Sequence, residues 1–389
     1  MPYLVIILGA EYFGLLAFAT AIISYFSIIT NYGFNITATR EISIHRKDSL
    51  KLTEIYSSVM SIKFFLMILS FLILLVLVFT LNKFAIEREI YIYTFGIVVG
   101  QVFFPVWFFQ GMEQMKYITY LNVLTKTIFT IAIFVLVKVQ EDYFIVPILT
   151  SFGFLISGLL SFRLVKKKFK VEFKIQKLTV LKYYAIDGWY IFISNISVSM
   201  YTMTTTVLLG FFTNNIIVGY YSVADKLINA IKQLITPISQ ALYPYISRKA
   251  DDSKKEALSI IKKAISSLSI VSFIGVFLLF LFAENVFYFV FGNEVEDSIL
   301  VFKILVLIPF LVVIDTIFGT LLMLVFKRNK TYSKIIISAG LLNLIMALIL
   351  IPLFKEVGAA VSVLIVELYI TFRIVFYIQN SDLKIIGGD

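Results

Sequence analysis

Eleven long stretches of mostly apolar residues run through this sequence, with only short polar segments between them. A helix needs about 20 such residues to cross the hydrocarbon core of a bilayer. The stretches do not alternate with a period of two, which favours transmembrane helices over barrel strands. The composition agrees, because 60% of the 389 residues are hydrophobic and only 15% are charged. We therefore predict an all-α polytopic membrane protein with spans at 13–35, 58–81, 91–111, 117–137, 143–164, 184–212, 216–246, 266–291, 299–326, 332–353 and 357–378.

Positive charge is concentrated in every second connection. Four segments, at 40–51, 163–182, 248–263 and 327–334, carry most of the 34 Lys and Arg. Short loops rich in Lys and Arg stay on the cytoplasmic side. This predicts a multi-pass membrane protein with a cytoplasmic carboxy terminus. For the same reason, the run Lys166–Lys168 indicates orientation and contact with anionic lipid rather than nucleic acid.

The longest basic loop divides the spans into two groups. This predicts an amino-terminal lobe at 1–164, a basic linker at 165–183 and a carboxy-terminal lobe at 184–389. A shift of 205 residues lays the first span on the seventh, so that Phe13-Gly14 coincides with Val218-Gly219. Repeated halves are typical of transporters, whose binding sites lie at the interface of the repeats.

Polar residues follow one helical face in each of these two spans, with the spacing i, i+4, i+7, i+11, i+15. Unsatisfied polar groups are costly against lipid, so each stripe is expected to face protein or a water-filled cavity. Hydrogen bonding between helices is the alternative explanation. The two stripes are Thr20, Ser24, Ser27, Asn31 and Asn35, and Asp225, Asn229, Lys232, Thr236 and Gln240.

Several charges lie inside predicted spans, where each needs a partner or water. We expect Lys126 and Lys232 to face a cavity, whose cations and neutral groups suit a ligand with both phosphate and sugar hydroxyls. Asp315 and Glu367 fit either a buried helix–helix pair or a proton or sodium site, and Asp225 fits either an ion pair with a nearby lysine or a coupling role. Two charges nearer the span ends are expected to snorkel to the interface: Lys63 and Asp187.

Signatures of an enzyme are missing from the sequence. It has no Gly-Lys-Ser/Thr phosphate loop, so the chain is not expected to hydrolyse ATP. His45 is the single histidine, and no cysteine is present to complete a metal site with it. No extracytoplasmic loop is long enough to form a catalytic domain. We therefore predict a transporter without a cofactor or metal.

Seven short segments carry a family resemblance, and they occur in the family's order across nearly the whole chain. They are Asn31–Asn35 with Thr39–Ser43, Trp107–Glu113 with Met115–Tyr117, Asp187–Trp189, Gly219–Lys226 and Leu242–Arg248. Together they resemble the polysaccharide repeat-unit flippases (the Wzx, or O-antigen transporter, family) of the multidrug/oligosaccharidyl-lipid/polysaccharide (MOP) superfamily. The resemblance implies a MATE-like fold of twelve helices in two lobes around a cavity that opens to alternate sides. It also implies that the first family helix is mostly missing, since Met1–Leu4 looks like its last turns.

The resemblance further implies a protein of the bacterial cytoplasmic (inner) membrane. Its implied substrate is an undecaprenyl-pyrophosphate-linked oligosaccharide of O-antigen or capsule type, and an ion gradient drives the transport. Polymerase and chain-length proteins of the same pathway are candidate partners. A MATE-like drug or lipid exporter and a membrane glycan polymerase are the alternatives. The predicted ion-coupling residues are Asp225, Asp315 and Glu367. The predicted substrate-binding residues are Lys126, Lys232, Arg40, Ser24, Asn31, Asn35, Asn229, Gln233 and Gln240.

Overall fold

The computed structural model describes residues 1–292 and 295–383, and the regular structure of these residues is entirely helical. Two short 3-10 turns and one π-helix, Thr316–Leu324, accompany the α-helices. The α-helices are α1 (Pro2–Asn31), α2 (Phe34–Ile44), α3 (Ser49–Thr80), α4 (Arg88–Phe103), α5 (Val106–Gly111), α6 (Lys116–Leu136), α7 (Ile145–Phe169), α8 (Leu178–Thr202), α9 (Thr204–Phe212), α10 (Asn215–Gln233), α11 (Ile235–Asp252), α12 (Lys254–Leu281), α13 (Ala283–Phe291), α14 (Ser298–Leu305), α15 (Ile308–Asp315) and α16 (Asn329–Gln379).

Within the described residues, eight helical segments are long and apolar enough to cross a membrane. The last of them, α16, contains two of the predicted spans. They are separated at Lys355, where the backbone leaves the helical region (φ 50°, ψ −125°). The predicted spans 184–212 and 216–246 lie on the helix pairs α8–α9 and α10–α11, which are interrupted at Met203 and Leu234. The prediction of an all-α polytopic membrane protein is confirmed. The eight segments are Pro2–Ile44, Ser49–Thr80, Arg88–Gly111, Lys116–Leu136, Gln140–Phe169, Lys254–Leu281, Ser298–Leu324 and Asn329–Gln379.

The chain divides into two compact units. The continuous unit is Leu15–Ser199, and the split unit combines Met1–Gly14 with Met200–Asp389. Consequently α1 contributes its first turns to the split unit and its remainder to the continuous unit. The basic segment 165–183 covers the end of α7 and the start of α8, both inside the continuous unit. The predicted lobe boundaries stay a prediction.

In the continuous unit, α4 and α7 touch through their backbones. A Cβ atom on Gly100 would lie only 2.3 Å from the carbonyl carbon of Phe154, and one on Gly158 only 2.7 Å from the Gly100 oxygen. Ser151 and Ser161 of α7 donate hydrogen bonds to carbonyl oxygens of α4 at 2.5 and 3.0 Å. Small residues and serine hydroxyls hold membrane helices together in this way, because lipid supplies no hydrophobic drive for their association.

A cluster of buried aromatic residues packs inside the continuous unit. The short helix α5 begins after Pro105, and its Trp107, Phe108 and Phe109 are completely buried. It packs against α2, and the approach is so close that a Cβ atom on Gly111 would lie 2.6 Å from a side-chain atom of Ile42. The segments Thr39–Ser43 and Trp107–Glu113, which are far apart in sequence, therefore pack directly against each other.

In the split unit, the first turns of α1 cross α10 at two glycines that the repeat shift of 205 residues makes equivalent. A Cβ atom on Gly14 would lie 1.8 Å from the Asn215 oxygen, and one on Gly219 would lie 2.0 Å from the Ala10 oxygen. The same shift relates Ala10 to Asn215, so both repeats use the same pair of positions at the crossing. This symmetric contact agrees with the internal repeat seen in the sequence.

The chain leaves α16 at a small ionic cluster of the split unit. The Asp382 carboxylate accepts hydrogen bonds from Lys254 at 2.9 Å and from Arg328 at 2.7 Å. The bond from Lys254 is the main cause that lowers the pKa of Asp382 below its ordinary value. Leu383 beside it is buried, so the end of α16 is fixed to the start of α12.

Candidate binding residues inside the spans

The stripe on α1 is partly satisfied by its own helix. The hydroxyls of Thr20 and Ser24 donate to the carbonyl oxygens four residues earlier, both at 2.7 Å. Hydroxyls bonded in this way need no partner on another helix. Asn31 at the end of α1 is half-buried and Asn35 in α2 is exposed. The two amides are therefore the members of this stripe best able to bind another group.

Lys63 on α3 is a buried cation. Its side chain is 1% exposed, and its Nζ atom donates to the Oδ1 atom of Asn31 at 3.1 Å. No described carboxylate forms an ion pair with it within 4.0 Å. The prediction that Lys63 snorkels to the interface is wrong, because Asn31 offers an acceptor inside the protein. The polar stripe on α1 was the sequence signal that could have identified this partner.

Arg40 and Asp187 join two segments of the continuous unit that lie far apart in sequence. The Nη2 atom of Arg40 donates to both oxygens of Asp187 at 3.1 and 3.0 Å. Next to this ion pair, a Cβ atom on Gly33 would lie 2.6 Å from the Gly188 oxygen, and one on Gly188 would lie 2.8 Å from the Tyr32 ring. Asn31–Asn35 and Asp187–Trp189 are thus in direct contact. Arg40 already pairs with a carboxylate, although both side chains are partly exposed, and the expectation that Asp187 reaches the interface stays a prediction.

Lys126 lies at the centre of α6 and is exposed. Its side chain lines a cleft of about 190 Å³ between α6 and α7, together with the Asn122 amide and several hydroxyl and aromatic side chains. No described carboxylate pairs with it within 4.0 Å. Lys126 thus borders a cleft inside the continuous unit, and its place in a cavity between the lobes stays a prediction.

The stripe of the seventh span is carried by two helices. On α10, the Asn229 amide donates to the Asp225 carboxylate at 2.8 Å, and the Lys226 ammonium lies 4.5 Å from the centre of the Phe13 ring. Lys232 is half-buried near the end of α10 and has no described ion-pair partner within 4.0 Å. Because α10 ends at Gln233 and α11 begins at Ile235, Thr236 and Gln240 lie on a separate helix from the other members, and both are exposed.

Asp315 and Glu367 approach each other in the split unit. Asp315 ends α15 directly before the π-helix Thr316–Leu324, and Glu367 on α16 is 5% exposed and close enough to repel it electrostatically. Both carboxylate oxygens of Asp315 are buried, and the buried Thr371 hydroxyl lies near enough to interact with them. π-Helices are rare and often mark functional positions. Sequence reasoning identified both carboxylates, but nothing in the sequence indicated the π-helix.

The described residues contain no group of three His, Asp or Glu side chains that could hold a metal ion. Their chemistry instead divides into lysines without carboxylate partners, amides and hydroxyls, and a few buried carboxylates. Such a set can bind an anion and sugar hydroxyls, and its carboxylates can carry a proton or a monovalent cation.

Two solved structures define the class of fold. A multidrug resistance MATE family transporter of the MOP superfamily, in an inward-facing conformation, matches with a TM-score of 0.73 at 14% identity, covering 99% of this chain and 94% of its own. The lipid II flippase MurJ, in an inward closed conformation, matches with a TM-score of 0.59 at 14% identity, covering 94% and 87%. The chain is therefore a polytopic membrane protein with the MOP-superfamily transporter fold.

Sequence comparison gives the family. Residues 1–250 match the family described as polysaccharide biosynthesis protein. Two relatives carry the name "Putative O-antigen transporter": one from Escherichia coli (strain K12) is 31% identical over 385 residues, covering 99% of this chain and 92% of its own. The other, from Shigella dysenteriae, is 28% identical over 384 residues, covering 95% and 92%. This chain belongs to the polysaccharide biosynthesis protein family, and the resemblance seen in the sequence is confirmed.

Proposed function

We propose that this protein is a flippase that carries undecaprenyl-pyrophosphate-linked oligosaccharide repeat units, of O-antigen or capsule type, across the cytoplasmic membrane. The family and the names of the relatives support a role in polysaccharide transport. The observation that carries the proposal is that Lys63, Lys126 and Lys232 lie inside spans without a described ion-pair partner within 4.0 Å. A cation inside the membrane is costly unless it meets a counter-charge or water. A pyrophosphate group supplies that counter-charge during transport.

The proposed division of roles follows the chemistry of the side chains. Lys126 and Lys232 attract the pyrophosphate, with Arg40 as a weaker contributor because Asp187 already binds it. The lipid tail stays in the bilayer while the cavity opens alternately to the two sides, with the carboxy terminus in the cytoplasm. Asp225, Asp315 and Glu367 couple transport to an ion gradient. The groups that meet sugar hydroxyls are Ser24, Asn31, Asn35, Asn229, Gln233 and Gln240.

Replacement of Lys232 tests this proposal. We expect Lys232→Ala to abolish surface glycan in a deletion strain at normal expression, and Lys232→Arg to retain most of it because the charge is kept. Lys255→Ala is the matched control, since Lys255 is an exposed lysine on α12. Normal surface glycan in the Lys232→Ala strain would remove this residue from the substrate site.

A drug or lipid exporter is the second candidate, because the intramembrane carboxylates Asp225, Asp315 and Glu367 would suit a cationic cargo. This function predicts that deletion sensitises cells to cationic drugs and leaves surface polysaccharide unchanged. A glycan polymerase predicts a third result, in which single repeat units accumulate on the outer face. The flippase predicts that lipid-linked units accumulate on the cytoplasmic face.

A further inference from the structure

The cleft between α6 and α7 combines a cation, hydroxyls and aromatic rings halfway across a pair of spanning helices. It lies wholly inside the continuous unit and has a volume of about 190 Å³. The α6 wall includes Asn122, Lys126, Phe129 and Ile133, and the α7 wall includes Thr150, Gly153, Phe154 and Ser157. Six of the ten lining residues are polar or charged, namely one lysine, one asparagine and four residues with hydroxyl groups.

The position of Lys126 makes its exposure unusual. Lys126 is the eleventh of the 21 residues of α6, which places its Cα atom about 15 Å from either end at 1.5 Å per residue. Its neighbours Val123, Leu124 and Ile128 are exposed apolar residues. No described carboxylate pairs with Lys126 within 4.0 Å. An ammonium group at this depth therefore favours an anionic ligand.

Ser157 gives a second, independent indication of a ligand. Its side chain is 2% exposed, and its Oγ atom is buried without a hydrogen-bond partner among the described residues. Thr125 and Thr150 on the same cleft instead donate to carbonyl oxygens of their own helices at 2.7 and 2.8 Å. A buried hydroxyl without a partner costs free energy, which a ligand oxygen in the cleft would offset.

The size of the cleft restricts what it can hold. A cavity of about 150 Å³ accommodates a molecule of the size of benzene. A volume of about 190 Å³ therefore admits one phosphate-sized or ring-sized group and excludes an oligosaccharide. The Phe129 and Phe154 rings and the Ile133 side chain favour an apolar chain attached to that group.

We propose that the α6–α7 cleft holds one phosphate group of the polyprenyl-pyrophosphate carrier, and that the prenyl chain leaves the cleft past Phe129, Phe154 and Ile133. Lys126 binds the phosphate oxygens and the Ser157 hydroxyl donates to one of them. The identity of this lipid rests on the proposed function, but the chemistry of the cleft does not. The glycan stays outside the cleft, so one carrier site serves repeat units of different sugar composition.

Binding of a defined probe to the full chain tests the cleft directly. Purified protein in phosphatidylcholine nanodiscs is titrated with undecaprenyl pyrophosphate, and bound lipid is counted by native mass spectrometry. We expect Lys126→Gln to weaken binding about 10-fold or more, because a charge-assisted hydrogen bond is lost. Lys126→Arg should restore most of the affinity, and the control Lys255→Gln should bind like the unmodified protein. Ser157→Ala should weaken binding several-fold.

Three further probes distinguish the polyprenyl pyrophosphate from other possible ligands of the cleft. Undecaprenol, free pyrophosphate and phosphatidylglycerol should each bind at least about 10-fold more weakly than undecaprenyl pyrophosphate. Equal binding of phosphatidylglycerol would overturn the proposal in favour of a general anionic-lipid site. Unchanged binding by Lys126→Gln would overturn it as well.

A photoreactive residue locates the occupant on α6. Placed at Ile133, which lines the cleft, it should cross-link to the lipid, whereas at Ile131, which is 57% exposed and outside the cleft, it should not. Equal cross-linking at both positions would contradict the proposal. These assays need no transport. If Lys126→Gln abolishes binding while gene deletion leaves surface glycan intact, the flippase function fails and the cleft assignment stands.

Discussion

The crossing of α1 and α10 leaves no room for a single methyl group on either glycine. A Cβ atom on Gly14 would lie 1.8 Å from the Asn215 oxygen, while real Cβ atoms essentially never come within 3.0 Å of such an atom. The two helices would therefore have to separate by at least the difference, 3.0 − 1.8 = 1.2 Å. Gly219 faces the equivalent obstacle, because a Cβ atom there would lie 2.0 Å from the Ala10 oxygen.

The expected effect of Gly14→Ala or Gly219→Ala is a lower free energy of unfolding. Overpacking of a filled interior typically costs about 1–3 kcal/mol, and we expect the upper end because both obstructing atoms belong to the backbone. The two changes act on one crossing, so the double variant should lose less than the sum of the single losses.

Reversible unfolding of the purified protein in detergent, followed by circular dichroism, measures these losses. Gly275→Ala is the matched control: this glycine lies inside α12, and a Cβ atom there would meet nothing within 4 Å. It should be neutral or stabilising by up to about 1 kcal/mol, because alanine favours helix over glycine. If Gly14→Ala and Gly219→Ala unfold like the Gly275→Ala control, the close crossing is refuted.

Two further predictions concern polar pairs of the continuous unit. Asn31→Leu removes the acceptor of the buried Lys63 and should lower the free energy of unfolding by about 1.5–3 kcal/mol. Adding Lys63→Met should restore most of this loss. If Asn31→Leu costs as much in the Lys63→Met variant as in the unmodified protein, the pair is contradicted. Arg40→Asp and Asp187→Arg should each cost about 1 kcal/mol or less, because the pair is partly exposed. The swapped double variant should recover that loss in thermal unfolding, and failure to recover would contradict the ion pair.

The architecture could be predicted because the bilayer imposes a simple rule on the sequence. Each predicted span falls on helical residues, since a crossing segment must satisfy its own backbone hydrogen bonds. The breaks inside the spans could not be predicted with the same rule. Lys355 leaves the helical region between two apolar stretches, and the π-helix after Asp315 has no marker in its composition.

The candidate site residues could likewise be predicted only in part from the sequence. Helical spacing placed Asn31 and Lys126 on polar faces, and the structure gives each of them polar surroundings. The pairing of Asn31 with Lys63 depends on how α1 and α3 pack, which periodicity within one helix does not contain. The unpartnered Ser157 hydroxyl could not be recognised either, because serine inside a span usually bonds to its own helix.

Transport by the reconstituted protein is the decisive measurement of flippase activity. Purified protein is placed in liposomes with a fluorescent undecaprenyl-pyrophosphate-linked oligosaccharide in one leaflet, and its arrival in the other leaflet is followed under an imposed ion gradient. We expect movement well above that in protein-free liposomes. Lys232→Ala should lose this movement, and Lys255→Ala should keep it. Movement no faster than in protein-free liposomes, with intact folded protein and either ion gradient, would contradict the proposed flippase activity.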